Sequence, residues 1–417
     1  MTPDRSLTSW VSVPEDSDFP IQNLPYGVFA DAAGVRCGVA IGDVVFDLAR
    51  AEASGLFSDT GLEADTFASG SLNLFISQPR DVWSAVRGHV TDLLSSGNAD
   101  GESFARAHDL IVEHAVRLRL PVEIGDYVDF YSSEQHARNV GRMFRPDGEP
   151  LLPNWKALPV GYHGRAGTVV PTGTPIQRPL GQTKGENGPA FGPSQKLDIE
   201  LEVGFITGAG PGLGVAINVD DAEKYIFGLC LLNDWSARDI QAWEYVPLGP
   251  FLGKSFATSM SSWIVPLEAL EPFRTAAVAQ DPQPLAYLRS DVAAGVSIDL
   301  NVDLAAQDGT SDRIISTRFD SMYWTMAQQL AHATSNGATT RPGDLYASGT
   351  VSGATEEEFG SLLERSWNGT RPITLSNGET RTFLEDGDTI TITGRCEAPG
   401  AVPIGFGECV GTVDGRR

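Results

Sequence analysis

The chain has 417 residues, a formal net charge of −24 and a pI near 4.5. This length exceeds one typical hydrophobic core, so we expect a large domain and a smaller one. The acidic balance argues against nucleic acid and anionic membranes as partners, because both would repel the protein. We find no apolar run of roughly 20 residues and no signal-peptide pattern at the N-terminus.

Cysteine usage points to a reducing compartment. The four cysteines are widely spaced and include no Cys-x-x-Cys pair; they are Cys37, Cys230, Cys396 and Cys409. Such spacing is typical of free thiols rather than of a disulfide framework or a zinc site. We therefore predict a cytoplasmic protein.

The first 120 residues are predicted to form a small β module with helical segments. Short strands are expected at 26–30, 35–41 and 44–48, with Gly42-Asp43 as a tight hairpin loop. Apolar residues at helical spacing then predict helices over 79–94 and 102–118.

The remainder, 121–417, changes to many short strands separated by Gly- and Pro-rich turns. This pattern predicts a mixed, mostly antiparallel β architecture, so the fold class is mainly β within α+β. Two helices interrupt it: a short one capped by Ser236, in an S-x-x-D arrangement with Asp239, and a longer one over 321–334.

Residues 197–203 alternate apolar and acidic side chains, which in a strand places Asp198, Glu200 and Glu202 on one face. Stacked carboxylates repel one another and are costly to desolvate unless a positive charge lies among them. The pattern therefore predicts a divalent cation site. The alternative is an edge strand whose acidic face is exposed to water.

Three familiar motifs are absent. The segment 249–255 has three residues between its first glycine and the Gly-Lys pair, where a phosphate-binding P-loop needs four. The glycines of 208–214 lack the G-x-G-x-x-G spacing of a dinucleotide site. No G-x-S-x-G elbow occurs, which removes the usual signal for a serine hydrolase of the α/β-hydrolase type.

An apolar run at 226–232 indicates a buried strand that ends at Asp234. In the helix that follows, Arg238, Gln241 and Tyr245 are spaced to project from one face, as expected for substrate contacts. An ordinary surface helix with a solvated Arg238 is the alternative. His136 lies near Asp129, Tyr131 and Arg145 in the sequence and is the preferred catalytic histidine, with His163 as its competitor.

Together these motifs identify the chain as similar to the fumarylacetoacetase family. The matching segments are 129–133, 135–137, 153–155, 158–165, 200–202, 233–241, 243–255, 341–345, 347–350 and 404–407. The resemblance covers 125–411, and its N-terminal part is looser. It implies a small N-terminal SH3-like β-barrel, a C-terminal mixed-sheet β-roll and a homodimer.

The resemblance also implies a ligand set and an activity. Calcium or magnesium would be held by Asp129, Glu200, Glu202 and Asp234, with Lys254 and Thr258 close by, whereas Asp198 would be an outer or solvent-facing group. The implied reaction is hydrolysis of the carbon–carbon bond of 4-fumarylacetoacetate to fumarate and acetoacetate, the last step of tyrosine and phenylalanine breakdown.

Roles follow from the same resemblance. His136, oriented by Glu364, would activate water, while Arg238, Gln241 and Lys254 stabilise the oxyanion. The remaining residues would hold the anionic ends of the substrate, and they are Tyr131, Arg145, Gln241, Tyr245 and Thr350. Two alternatives remain open: a related acylpyruvate hydrolase or oxaloacetate decarboxylase, and a non-catalytic calcium-binding protein that keeps the fold.

Overall fold

A computed structural model of the chain describes residues 4–290 and 295–415. The strands of these residues, in chain order, are β1 Tyr26–Asp31, β2 Gly34–Ile41, β3 Val44–Asp47, β4 Ile111–Val112, β5 Arg117–Leu118, β6 Tyr127–Phe130, β7 Gly161–His163, β8 Val169–Pro171, β9 Ile176–Gln177, β10 Leu180–Gly185, β11 Gly188–Pro193, β12 Leu197–Asp198, β13 Leu201–Thr207, β14 Ile226–Asp234, β15 Ser236–Ala237, β16 Thr258–Met260, β17 Trp263–Pro266, β18 Arg274–Thr275, β19 Gly295–Val296, β20 Asp299–Ala305, β21 Ser311–Arg318, β22 Leu345–Ala347, β23 Ile373–Thr374, β24 Thr380–Arg381, β25 Thr389–Cys396 and β26 Ile404–Asp414.

The α-helices of the described residues are fewer than the strands. They are α1 Leu48–Ala53, α2 Asn73–Ile76, α3 Arg80–Leu94, α4 Ala99–Ala107, α5 Glu134–Phe144, α6 Arg238–Glu244, α7 Leu267–Leu270, α8 Met326–Thr334 and α9 Leu362–Arg365. The fold is therefore α+β and dominated by sheet, as the sequence predicts.

One large sheet contains strands from residues 26 to 347. Its main path runs β4-β3-β2-β1-β17-β14-β13-β22-β6-β7, with β5, β8 and β16 pairing off this path. Most pairs are antiparallel, but β22 with β6 and β16 with β8 are parallel, so the sheet is mixed as predicted. The N-terminal strands join the rest through β1, which pairs with β17.

A second sheet, β21-β20-β25-β26-β9, packs against the strands that carry the acidic residues. Leu231, Leu300 and Phe406 lie in the core shared by the two sheets. Glycines allow the close approach, because a Cβ at Gly411 would overlap the ring of Trp235. This packing buries β14 along its whole length and so removes Asp234 from solvent.

The N-terminal hairpin is confirmed. β2 and β3 pair antiparallel around Gly42, whose φ of +52° is the left-handed conformation that glycine adopts without strain. The helix predicted over 79–94 is also present as α3.

The prediction for 102–118 is wrong in its second half. The helix begins earlier, where Asn98 caps α4 through a bond from the Gly101 N–H, and it ends before Asp109, which has a φ of +50°. The following residues pair as β4 with β3 and as β5 with β1. Open strand edges thus outcompete a helix whose apolar spacing alone suits either structure.

Two other helix starts differ from prediction. Ala237, not Ser236, occupies the cap position of α6, because the Ser236 hydroxyl donates to the Asp234 carbonyl and accepts from Lys254. α8 begins at Met326 rather than near 321, since Thr325 forms a capping box with Gln328.

The acidic segment 197–203 is not one strand. β12 pairs with β15 and β13 pairs with β14 and β22, and the chain changes sheets at residues 199 and 200. Every residue from Leu197 to Val203 is buried, including Asp198, Glu200 and Glu202. The alternative of a solvent-facing acidic edge is therefore wrong.

Candidate active site

Four carboxylates meet where separate strands end or change direction. Asp129 lies on β6, Glu202 on β13, Asp234 at the end of β14, and Glu200 in the break before β13. One oxygen from each lies within 4.8 Å of the others, and all four residues are buried. The predicted cluster thus exists, and three of its acids come from β14, β13 and β6 of one sheet, in which β22 lies between β13 and β6.

The cluster carries more negative charge than its neighbours compensate. Asp129 Oδ1 and Glu202 Oε1 are buried and have no hydrogen-bond partner within the described residues. Burial, followed by the charge of Asp234, raises the pKa of Asp129 well above its usual value; burial and Asp129 do the same for the pKa of Glu202. Unpartnered carboxylate oxygens in an all-oxygen set fit a hard divalent cation such as magnesium or calcium.

Lys254 and Arg238 supply the positive charges on the other side of the cluster. The Lys254 ammonium contacts both Glu200 and Asp234. Arg238 Nη2 lies 2.8 Å from Glu200 Oε1. Burial opposes the ionised forms, but the charges of Asp234 and Glu200 still raise the pKa of Lys254, and Lys254 and Arg238 lower the pKa of Glu200.

Two hydroxyls hold the acids in place. Thr258 Oγ1 donates to Asp234 Oδ1 at 2.8 Å, as its predicted location near the cluster requires. The Tyr162 hydroxyl donates to Asp129 Oδ2 at 2.7 Å and lies 3.2 Å from Asp234 Oδ2. Sequence reasoning missed Tyr162. A strand sends neighbouring side chains to opposite faces, so an exposed His163 would have indicated that Tyr162 faces the interior.

His136 and Glu364 form a buried pair. His136 Nδ1 lies 2.6 Å from Glu364 Oε2, and Ser133 caps α5 so that the imidazole enters the interior from the first turn. With the Nδ1 proton directed at the carboxylate, Nε2 is left as the basic nitrogen.

Glu364 is held by several donors at once. Asn139 donates to Oε1 at 2.9 Å, while Ser352 and Ser361 each donate to Oε2 at 2.9 Å. Burial would raise the pKa of Glu364, but the charge of His136 and these hydrogen bonds keep it below its usual value. The carboxylate therefore remains ionised and fixes the ring of His136.

His163 has a different environment. It lies exposed on β7, on a strand edge paired with Val128. It lines a cleft of about 530 Å³ that also contains His332. No carboxylate bonded to His163 is found in the described part of the chain. The geometry favours His136 as the base.

The residues expected to contact substrate fall into two groups. Tyr131 lies edge-on to His136 with ring centroids 5.1 Å apart, and Gln241 accepts from Arg238 Nη1 at 3.1 Å. Thr350 is buried with an unpartnered hydroxyl, one residue after Gly349, whose N–H donates to Glu202. These lie at the acidic cluster and the histidine pair.

Arg145 and Tyr245 lie farther out, at the C-terminal ends of α5 and α6, and both are exposed. Arg145 donates to the Pro150 carbonyl. Burial raises the pKa of Tyr131, and the charge of Arg145 is close enough to oppose that rise. Arg238, in contrast, is buried, so the alternative of a solvated arginine on a surface helix is wrong.

Of the two places that the resemblance implies for Asp198, the structure has the outer one, because Asp198 contacts Arg238, which in turn contacts Glu200. It is not one of the four clustered acids, and it is fully buried rather than solvent-facing. Its carboxylate accepts from Arg238 Nε at 2.7 Å.

In the described residues, no helix has the length and apolar character needed to cross a membrane. Similarity to known proteins covers nearly the whole chain. The family model described as fumarylacetoacetate (FAA) hydrolase C-terminal matches residues 127–414, and the one described as fumarylacetoacetase N-terminal matches residues 22–121.

Curated relatives and solved structures agree. Fumarylacetoacetase of Homo sapiens is 50% identical over 414 residues, which cover 97% of this chain and 98% of the relative. Fumarylacetoacetase of Arabidopsis thaliana is 48% identical over 420 residues, covering 98% of each. The structure of fumarylacetoacetate hydrolase from the psychrophile Exiguobacterium antarcticum is 17% identical and covers 94% of this chain and all of that one, with a TM-score of 0.54, which supports the fold alone. The chain belongs to the fumarylacetoacetase family.

Proposed function

We propose that this protein hydrolyses the carbon–carbon bond of 4-fumarylacetoacetate, giving fumarate and acetoacetate at the end of tyrosine and phenylalanine breakdown. The observation that carries the proposal is a buried histidine–carboxylate pair next to a buried four-acid cluster. The charge of His136 contributes to lowering the pKa of Glu200, so the two groups share one site. Relatives that are 50% and 48% identical in sequence are named fumarylacetoacetase.

The four clustered acids would hold the divalent cation, Mg²⁺ or Ca²⁺, and Lys254 and Thr258 would flank it. When bound there, the cation supplies Lewis acidity for the enolate of the departing acetoacetate. The acids themselves restrain its location, because Tyr162 and Thr258 fix Asp129 and Asp234 by hydrogen bonds. Lys254 keeps its proton and contributes a positive charge beside them.

His136 acts as the general base. Its Nε2 takes a proton from water, and the hydroxide so formed attacks the carbonyl next to the bond that breaks. The tetrahedral intermediate then collapses to fumarate as the carbon–carbon bond breaks, and the departing enolate takes up a proton to give acetoacetate. Glu364 holds the tautomer and stabilises the imidazolium that results. Because Glu364 already accepts four hydrogen bonds, it stays in place while the ring changes charge.

The remaining polar residues stabilise charge on the substrate. Arg238, Gln241 and Lys254 would surround the tetrahedral oxyanion. The four other residues would bind the anionic ends of the substrate, and these are Tyr131, Arg145, Tyr245 and Thr350, with Gln241 also in contact. The unpartnered hydroxyl of Thr350 supports this assignment, since a buried donor without a partner is costly unless a ligand satisfies it.

The test is a comparison of substrates with purified protein and added Mg²⁺ or Ca²⁺. We expect kcat/KM for fumarylacetoacetate to exceed that for a short acylpyruvate by at least about 100-fold, with fumarate and acetoacetate as products. Preference for the acylpyruvate, or release of CO₂ from oxaloacetate, would assign the chain to the related hydrolases or decarboxylases. Complete absence of turnover would favour a non-catalytic cation-binding protein.

The proposal extends to architecture and assembly. The chain would divide near residue 120, with β1 to β5 forming an SH3-like barrel and 121–417 a β-roll.

A homodimer is supported by an apolar patch beside α6 that consists of Phe191, Val246, Leu248 and Phe251, all more than 60% exposed. Light scattering should give twice the 44.6 kDa chain mass. Leu248→Glu with Phe251→Glu should shift the protein to monomer, and an unchanged dimer would place the interface elsewhere.

A cytoplasmic location is proposed from the thiols. All four cysteines are buried and free, as suits a reducing compartment.

A further inference from the structure

Asp198 is a buried carboxylate that the proposed mechanism does not use. Four donors converge on it. Oδ1 accepts from the backbone N–H of Ile199 at 2.8 Å and of Leu362 at 2.7 Å. Oδ2 accepts from Arg238 Nε at 2.7 Å and from the backbone N–H of Leu363 at 3.0 Å. With two donors on each oxygen, the side chain has a single possible orientation.

The partners of Asp198 belong to the two halves of the site. On one side is Arg238, whose other nitrogens reach Glu200 Oε1 at 2.8 Å and Gln241 Oε1 at 3.1 Å. On the other side are the first two residues of α9, the helix that carries Glu364. Glu364 in turn fixes His136.

We infer that Asp198 is a positioning residue that fixes the oxyanion-binding Arg238 and the His136–Glu364 pair relative to each other. The inference rests on the proposed function, since it takes the roles of these residues from there. The physical reason is that Arg238 contacts two buried acids, Asp198 and Glu200. Asp198 holds Nε by a hydrogen bond, whereas Nη2 lies 2.8 Å from Glu200 and has no hydrogen-bond partner within the described residues. Without Asp198 the guanidinium can therefore rotate toward the acidic cluster.

Asp198 also satisfies the two backbone N–H groups that open α9. A helix of four residues has few internal bonds, so its direction depends on such outside contacts. Loss of the carboxylate would let Glu364 shift relative to His136. A shift of this kind affects the transition state more than substrate binding, because both groups act on charge that develops during reaction.

The first test is Asp198→Asn, which keeps the shape of the side chain but places an amide donor against two donors. We expect kcat to fall about 10- to 100-fold while KM changes less than about threefold. Asp47→Asn is the matched control. Asp47 is equally buried, accepts from Arg36 Nε and from the first turn of α1, and lies in the N-terminal strands. Asp47→Asn should lower the melting temperature with kcat unchanged.

A double-mutant cycle separates positioning from a general loss of stability. Asp198→Asn is introduced into Arg238→Met and, separately, into Glu364→Gln. If Asp198 acts through both partners, its effect on kcat is smaller in each of these backgrounds than in the wild type. A full-size effect in both backgrounds overturns the inference, and so does a reduced effect in only one, because the residue then serves one half of the site.

Structure gives a readout that does not depend on turnover. A crystal structure of Asp198→Asn should show the Arg238 guanidinium rotated toward the acidic cluster and Glu364 displaced from His136, and an unchanged position of either would overturn the inference. If the wild type does not act on fumarylacetoacetate, the proposed function fails while this structural comparison still decides the role of Asp198. If Asp198→Asn does not fold, Asp198→Glu retains the charge but moves it by one methylene, and wild-type kcat in that variant would likewise overturn it.

Discussion

Two buried clusters of acidic residues in this molecule have opposite electrostatic balances. Among the N-terminal strands, Arg36 lies between Asp31 and Asp47 and donates to both. Hydrogen bonding to Arg36 holds the pKa of Asp31 well below its usual value. In the candidate active site, Asp129 and Glu202 have raised pKa values, chiefly from burial, and each keeps an unpartnered oxygen.

The comparison distinguishes a structural cluster from a functional one. The N-terminal cluster is satisfied by groups that the chain itself supplies, so its acids stabilise the fold as they stand. Among the described residues, the four acids of the site cluster have two cations in contact with them, Lys254 and Arg238, so the cluster favours a further positive charge from outside. A buried acid therefore indicates function when its partners are missing, not merely because it is buried.

Removal of divalent cations should have the largest effect. Exhaustive chelation is expected to lower turnover by at least about 1,000-fold, because the site acids then repel one another and the departing enolate loses its Lewis acid. Added Mg²⁺ or Ca²⁺ should restore activity, and thermal unfolding followed in parallel should show a lower melting temperature for the stripped protein. Full activity without cation would remove the distinction between the two clusters.

His136→Ala tests whether the His136–Glu364 pair acts independently of the four-acid cluster. Glu364 resembles the N-terminal acids in having its partners present, so its histidine should serve chemistry rather than cation binding. We expect turnover to fall roughly 100- to 10,000-fold, with substrate KM and cation affinity changed less than about threefold. His163→Ala is the control and should stay within about twofold of the wild type. The reverse pattern would move the base to His163.

The sequence predicts which acids form the site, but it does not predict the contacts that other side chains make around them. Alternation at 197–203 and the buried run before Asp234 indicate where carboxylates collect, because both patterns are local. The His136–Glu364 contact spans 228 residues and follows only from the family resemblance. The role of Asp198 depends on the chain changing sheets at residues 199 and 200, which no periodicity encodes.

The fold shows the same division. Hairpins and α3 are predicted because turn residues and helical spacing act over a few residues. The strands β4 and β5 were predicted as helix, because the edges that they pair with lie far away in the sequence. Tertiary pairing decided the structure of those residues.

Glu202→Gln sharpens the comparison through stability. In the metal-free protein this change removes one repelling charge and replaces the unpartnered Oε1 with an amide that can donate to Asp129. We expect the free energy of unfolding without metal to rise by about 1 kcal/mol, while stabilisation by added cation largely disappears. Thermal melts with and without Mg²⁺ measure both. A lower melting temperature in the metal-free variant would mean that the cluster is already satisfied.

Asp31→Asn should act in the opposite direction, with a smaller effect. At pH 7 the variant is expected to lose about 1–3 kcal/mol of stability, because Arg36 loses a charge-assisted partner, and turnover should not change. The pH dependence of this stabilisation follows from the lowered pKa of Asp31. The stabilisation is complete above the unfolded-state pKa of about 3.9 and declines as pH falls below that value. The gap between the urea midpoints of wild type and variant should therefore narrow steadily as pH falls from about 4 to about 2. The exposed Glu102, paired with Arg106, is the control, and Glu102→Gln should cost less than about 0.5 kcal/mol. A gap between wild type and Asp31→Asn that stays constant from pH 4 to pH 2 would show that Asp31 stabilises the sheet through shape rather than through its charge.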